Sequence, residues 1–354
     1  MKNLLLASTA LVAFAGAAAA EVAISGSGRM GMVYDKSISN DDIVIVNNEA
    51  FRTSDAGFRF DSRVRVAFTL TQETDSGVTF GGSVRADNAS SANSGKAGVV
   101  FMSGAFGKIS MGDVSGAAEA AVGNLSGVGY TGLGDFNEAI YLQQSNEDLD
   151  GNDELSAFAL PAALYEYSTG AASFYVSLGN PGGIGIADTT LGDIEVTDTV
   201  IDSAYGLGAK YSVDNYSVGF GYESIDISGI ATDTVTNNSV EYSNTVDSWM
   251  LGGSATFGGF TLKAQYGQGS GDGELDLTQY GISGDYTFDA FTVTAFWRSV
   301  ELQTSTDDTQ VKSQPFGMGV TYDLGGGASV AAGVVDPDRF GEDYRADIGV
   351  NFNF

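Results

Sequence analysis

The chain has 354 residues and a formal charge of −29, with 16 Lys+Arg against 45 Asp+Glu and neither His nor Cys. These counts exclude a disulfide framework, a zinc site of the usual ligands and any catalytic triad built on imidazole, and the acidity argues against a nucleic-acid partner. At 43% apolar and 11% aromatic, the composition is that of a folded protein.

Residues 1–20 read as a cleaved signal peptide: Lys2 supplies the positive start, Leu4 to Phe14 the apolar stretch, and Ala18-Ala19-Ala20 the small-residue cleavage site. Cleavage leaves Glu21 at the front of a chain carrying −30. The longest apolar run after it, Ala157 to Tyr165, is broken by Pro161 and falls well short of the ~20 residues of a spanning helix. An exported β protein is expected, either soluble or a transmembrane barrel, since only helices and closed barrels pair every backbone group within lipid.

From residue 21 onward apolar and polar residues alternate with period two. The first strand, 22–35, sets Val22, Ile24, Met30 and Met32 against Ser25, Ser27 and Arg29. Strand 57–72 repeats the pattern, and the strands expected after it are 78–86, 97–104, 108–113, 161–169 and 172–179. The second half continues with 204–213, 216–225, 246–257, 260–267, 278–288, 291–301, 314–324, 328–335 and 343–354. Seven short turns, such as Asp75-Ser76-Gly77 and Asp214-Asn215, alternate strictly with eight long polar loops: 36–56, 87–96, 113–157, 180–203, 226–245, 268–277, 302–313 and 336–342. An even number of strands, short turns at one rim, long loops at the other and aromatics near strand ends (Tyr34, Phe257, Phe288, Phe291, Tyr322) describe an outer-membrane barrel of sixteen strands. A multidomain sandwich has no reason to make every second connection long.

Three features bear on function. Gly26-Ser27-Gly28-Arg29-Met30-Gly31 matches the dinucleotide fingerprint G-x-G-x-x-G, but alternation continues to Tyr34 where that fingerprint requires a helix; an outward-facing subunit contact is the better reading of Gly26 and Gly28. Asp148, Asp150, Asn152 and Glu154 have the alternating oxygen donors of a calcium loop, without the bidentate Glu of a full EF-hand, and a solvated acidic loop is the simpler reading. Arginines are scarce, nine in all, and five of them, Arg29, Arg63, Arg65, Arg85 and Arg345, share the polar parity of their strands at one height. Their strands, 16, 1, 2 and 3, become neighbours when the barrel closes. A spanning strand has ~9–11 residues, which sets this height inside a pore. The 113–157 loop is far longer than an ordinary connection; it carries Asp113, Glu119, Asp135 and Glu138, and its Gly/Ala-rich first half suits close packing on an inner wall.

The start Glu-Val-Ala-Ile-Ser-Gly-Ser-Gly-Arg-Met-Gly, the segment Gly107-Lys108-Ile109-Ser110-Met111-Gly112-Asp113 before the very long third loop, and the final Asn-Phe-Asn-Phe resemble the alphaproteobacterial general porins of the Rhodobacter type. The resemblance implies an all-β, 16-stranded antiparallel barrel over 21–354 in the outer membrane, a homotrimer, and a third loop (113–157) folded into the lumen. It also implies diffusion of ions and small hydrophilic solutes. Apart from the resemblance, no reaction is expected and no cofactor is required, the acidic loop making calcium the one candidate ion. Phe354 is similar to the residue that barrel-assembly machinery reads. The implied constriction sets Arg29, Arg63, Arg65, Arg85 and Arg345 against Asp113, Glu119, Asp135 and Glu138. A substrate-specific channel and a plugged structural or adhesive barrel stay open as alternatives; conductance separates them.

Overall fold

A computed structural model describes residues 21–35, 43–46, 49–52, 57–87, 95–143, 162–180, 182–183, 189–191, 194–271, 275–304, 309–338 and 344–354. They form a closed antiparallel barrel of sixteen strands. The first seven are β1 Glu21–Asp35, β2 Phe58–Glu73, β3 Thr79–Asp87, β4 Gly95–Gly104, β5 Gly107–Gly112, β6 Ala162–Thr169 and β7 Ala172–Gly179. Three long ones follow, β8 Ile194–Val213, β9 Tyr216–Asp233 and β10 Asn238–Phe257. The ring continues through β11 Phe260–Gly271, β12 Leu275–Phe288, β13 Phe291–Thr304, β14 Phe316–Gly325, β15 Ala328–Asp336 and β16 Arg345–Asn353. Each pairs with its neighbour in sequence, and β1 pairs with both β2 and β16, in the registers Arg29↔Arg63 and Arg29↔Asn351. The signal-peptide stretch 1–20 lies outside the described residues.

The barrel is apolar outside. Val22, Ile24, Phe68, Val100, Leu251 and Ile282 are exposed large hydrophobics, the arrangement of a lipid belt. Two aromatic rows edge this belt. Near the short turns run Phe257, Phe260, Tyr286, Phe288, Phe291 and Tyr322, with centroids 4.2–6.0 Å apart. Toward the other rim lie Tyr205 with Tyr222, and Trp249, Tyr266, Tyr280 and Trp297 in a chain of 5.5–6.3 Å steps. Six to eight residues separate the rows along a strand, roughly 20–26 Å at 3.3 Å per residue, which matches an apolar band of ~25 Å.

Several sequence expectations are corrected. The stretches 180–203 and 226–245 are largely strand: β8 to β10 extend far past their expected ends, and β9 meets β10 at a turn where Asp233 Oδ1 accepts from the N–H groups of Val235 and Thr236 at 2.8 and 2.9 Å. Their many Ser, Thr and Asp residues look like loop composition, and irregularities between Thr197 and Val200 and between Ile201 and Ser203 interrupt the alternation. The 36–56 stretch contains a small hairpin, Ile43–Val46 with Glu49–Arg52. The strand expected at 314–324 is broken before Phe316, beside a short segment Thr309–Ser313, because Pro315 has no N–H to donate. Gly26 and Gly28 are covered by the chain itself: the Phe354 ring stands over Gly26 and the Phe352 ring over Gly28, and Gly26 exchanges backbone bonds of 2.6 and 2.9 Å with Phe354. Val99 packs inward against Val114, Ala117 and Leu164, and past it a register shift falls between Ser83 and Arg85 in the β3–β4 pairing.

Candidate pore constriction

The segment after β5 does not leave the barrel rim directly. Val114 N–H donates to the Gly112 carbonyl, and a short Ala-rich helix, α1 (Ala117–Val122), begins at Gly116. Gly116 has no capping side chain of its own, so the wall caps the helix: Ser177 Oγ on β7 accepts from Ala117 N–H at 2.9 Å. Gly123, at φ +73°, ends the helix with a bond from its N–H to Glu119 O. Helix α1 lies against β7, β8, β9 and β10.

The chain then follows the inner faces of successive strands. Lys263 Nζ on β11 donates to Asn124 O at 3.4 Å. Ser126 bonds Ser283 and Asp285 on β12 at 2.9 and 2.7 Å. Gly129 lies on Gly333 of β15, and Tyr130 on Gly349 of β16 and Gly31 of β1. Thr131 donates through N–H and Oγ1 to Asp347 on β16, at 2.8 and 2.6 Å, and its carbonyl accepts from Arg29 at 3.3 Å. The return layer packs on the first. Phe136 joins Val128, Leu133, Phe296 and Val335 in one apolar cluster, Ala139 N–H bonds Asn124, and Gln279 on β12 bonds both the N–H and the carbonyl of Ile140. Leu142 N–H donates to buried Glu223 on β9 at 2.7 Å, and Gly116 N–H donates to Gln143 O at 3.1 Å. The two ends of the segment meet there, so residues 116–143 form a closed two-layer ledge along β7 to β16 and β1.

Close approach depends on wall glycines. A Cβ at Gly221 would stand 2.5 Å from the Ala118 methyl, one at Gly219 2.8 Å from the Ala121 carbonyl carbon, and one at Gly333 2.5 Å from Gly129 N. On the ledge, Tyr141 donates to Gly123 O at 2.6 Å; burial and the carboxylates of Glu119 and Glu223 hold its phenol well above the usual range, so it stays a donor. Burial, with Asp61 and Asp347, pushes Tyr130 up to about 12.

The candidate site residues are distributed as follows. Arg29 is ion-paired to Asp61 on β2 at 2.9 Å as well as touching Thr131. Arg345 pairs with Asp35 at 3.4 Å and stacks 5.2 Å over the Phe136 ring. Arg63, Arg65 and Arg85 stand half-buried on β2 and β3. Glu119 lies on α1, beside the β7–β10 wall, and Asp135 and Glu138 in a turn where Glu138 N–H bonds Asp135 O at 2.8 Å. Asp113 is tied to β4 through Gly98 O at 3.3 Å. Asp148, Asp150, Asn152 and Glu154 lie outside the described residues. Sequence reasoning missed the anchors Ser177, Glu223, Gln279 and Asp347, although all carry inward parity, and missed the glycines that clear their side of the wall.

A closed barrel with an apolar belt, two aromatic rims and a polar interior defines a transmembrane channel protein. The chain belongs to the Gram-negative porin family, whose profile matches residues 7–339. It is 36% identical to a porin of Rhodobacter capsulatus, over 94% of this chain and 100% of that one, and 25% identical to a porin of Fuscovulum blasticum with the same coverage. A porin structure refined at 1.8 Å resolution matches with TM-score 0.66 at 33% identity, covering 94% of this chain and 100% of that one. A mutant Rh. blastica porin shares the fold at TM-score 0.60 and 21% identity, again over 94% and 100%. The protein is thus an outer-membrane general diffusion porin.

Replacing Gly219 and Gly221 with Val should push α1 off the wall at a cost of about 1–3 kcal/mol, leaving the barrel intact. Limited proteolysis should then cut within 116–143 while the heat-modifiable gel band of the folded barrel persists; an unchanged cleavage pattern contradicts the packing.

Proposed function

We propose that the ledge narrows the lumen and that solutes pass between it and the wall of β2 and β3. The observation that carries this reading is that the anchors named above run along β7 to β16 and β1, whereas Arg63, Arg65 and Arg85 stand on the remaining arc. Arg29 and Arg345, held by Thr131 and Phe136, sit where ledge and arginine wall meet. Carboxylates of Glu119, Asp135 and Glu138 on the ledge and guanidiniums on the wall set a field across a wet slot, with Asp113 at the foot of the ledge beside β4. Such a field orients dipolar solutes and hinders apolar ones, whose passage gains nothing from it. The chain conducts and does not catalyse, and diffusion requires no cofactor; calcium at Asp148, Asp150, Asn152 and Glu154 belongs to the same reading only as a loop ion.

The mature protein begins at Glu21 after signal cleavage, assembles through machinery that reads Phe354, and works as a homotrimer in the lipid of the outer membrane. The trimer reading is supported by the outer faces of β1 to β4, where Met30, Met32, Val64, Val84 and Val100 are exposed and the residues are mainly aliphatic. Three copies packed there would cover these faces.

Three measurements test this reading. Mass determination in mild detergent should give three chains; monomer alone contradicts the trimer. Reversal potentials should show cations favoured at low salt because of the −30 mature charge, and the preference should fade as the screening length shrinks to ~8 Å near physiological salt; anion preference at low salt contradicts it. Arg63→Ala with Arg65→Ala should raise single-channel conductance roughly 1.5- to 2-fold, and the paired Glu variants should shift selectivity further toward cations. Parent-like conductance and selectivity in both would remove these arginines from the constriction.

A further inference from the structure

Under the ledge, toward the short turns, the lumen holds a chamber of about 190 Å³. Residues 121–125, the end of α1 and the chain just after it, form the roof. Lys210 on β8, Ser217 on β9, Ser254 on β10, and Lys263 and Gln265 on β11 form the wall. The Ser217 and Ser254 hydroxyls stand 2.8 Å apart. Only six lysines remain after the signal stretch, in a chain carrying −30, and two of them face this one chamber. Lys108 and Lys312 are ion-paired, with Glu166 and Glu301. Lys210 and Lys263 have no acidic partner among the described residues, and no Asp or Glu among those residues lines the chamber. The carboxylate of Asp285, on the neighbouring strand β12, is taken up by the Ser126 and Thr294 hydroxyls, each at 2.7 Å.

We propose that this chamber binds a phosphate group, either inorganic phosphate or the phosphate end of a small phosphomonoester. The proposal rests on the channel reading and adds a saturable stop to it. The chemistry selects the ligand. Two ammoniums, two hydroxyls and an amide converge without a carboxylate, and a doubly charged tetrahedral oxyanion has the charge and the acceptor oxygens to use them. A carboxylate, with one charge and two oxygens, would use about half of the set. The carbonyls of the roof would repel an anion, but two are already engaged: Tyr141 donates to Gly123 O at 2.6 Å and Lys263 to Asn124 O at 3.4 Å. The chamber is smaller than the ~300–1,000 Å³ that encloses a whole organic ligand, so it admits a headgroup and leaves the rest of the solute in the lumen. Its place in the pore fits a stop on the way through. In a ring of sixteen strands, β10 and β11 stand half a turn from β2 and β3. Lys210 and Lys263 lie three residues from the short-turn ends of their strands, whereas Arg65 lies eight and Arg85 six from theirs. A phosphate-bearing solute leaving the arginine wall therefore meets the lysines next.

The test uses the purified full-length chain in planar bilayers, above neutral pH where phosphate is a dianion. Potassium chloride conductance is followed while inorganic phosphate, or acetate as control, is titrated in at constant ionic strength. In parallel, phosphorus-NMR line broadening of inorganic phosphate is measured on the protein in neutral detergent. Phosphate should lower the parent's current along a saturating curve, and acetate only in proportion to the chloride it replaces. Lys210→Met, which removes no bond to the ledge, should raise the half-saturating phosphate concentration about tenfold. Ser254→Phe, which fills the chamber and keeps both lysines, should abolish saturation. Arg63→Ala with Arg65→Ala should alter conductance yet keep saturation by phosphate. A parent current that does not saturate, equal saturation by acetate, parent-like saturation in both chamber variants, or its loss in the arginine pair alone would each overturn the proposal, the last by placing the anion on the arginine wall. A parent that carries no current would overturn the channel reading instead, and the phosphorus line width in detergent would then decide the chamber by itself.

Discussion

In hydrocarbon an unpaired peptide group costs several kcal/mol, and a sheet can avoid that cost only by leaving no edge. Everything else in this molecule depends on that closure, made where β1 pairs with β16. A closed sheet must put its apolar side outward, which strips the protein of an ordinary hydrophobic core. The buried apolar clusters that exist, such as Val128, Leu133, Phe136, Phe296 and Val335, lie between the ledge and the wall. Cohesion inside the ring is otherwise polar: wall side chains satisfy the backbone groups of a segment that makes few such bonds itself, as Gln279 does for Ile140 and Asp347 for Thr131. Each of these bonds contributes only about 1 kcal/mol net, but leaving the same buried groups unpaired would cost more.

Glycine gives the second layer of the design. In a strand it normally weakens packing, and its usual justification is close approach of another backbone. Gly208, Gly219 and Gly221 admit α1, and Gly333 and Gly349 admit Gly129 and Tyr130. The abundance of glycine, 49 residues, therefore reflects in part a second chain segment lying directly on the sheet.

The barrel was legible because its signal is repeated: period-two alternation and short turns recur along the chain, and misjudging one strand leaves the rest intact. Where the pattern failed, the failures were local and physical. Polar residues on the projecting parts of β8 to β10 read as loop because the rows of Ser203, Asp226 and Thr245 are satisfied by one another across the strands, at 2.6 and 2.7 Å, and not by an apolar environment. The arginines were legible through their rarity and shared parity. Their partners were less so: Asp61 and Asp347 are two among 45 acidic residues, and only the curvature of the closed sheet brings Asp347 to Thr131, across 216 positions.

The anchors of the ledge are spread from Ser177 to Asp347, and this spread sets an order of events during maturation. The segment is synthesised early but cannot finish docking until β16, the last strand of the ring, is in place. Arg29 and Asp347, which grip its tip, belong to the two strands that form the seam. Sealing of the cylinder and final docking of the segment are thus one late step. Under the proposed constriction, a chain that sealed with the segment still outside would be a wider channel, so the same late step would fix both the wall and the sieve.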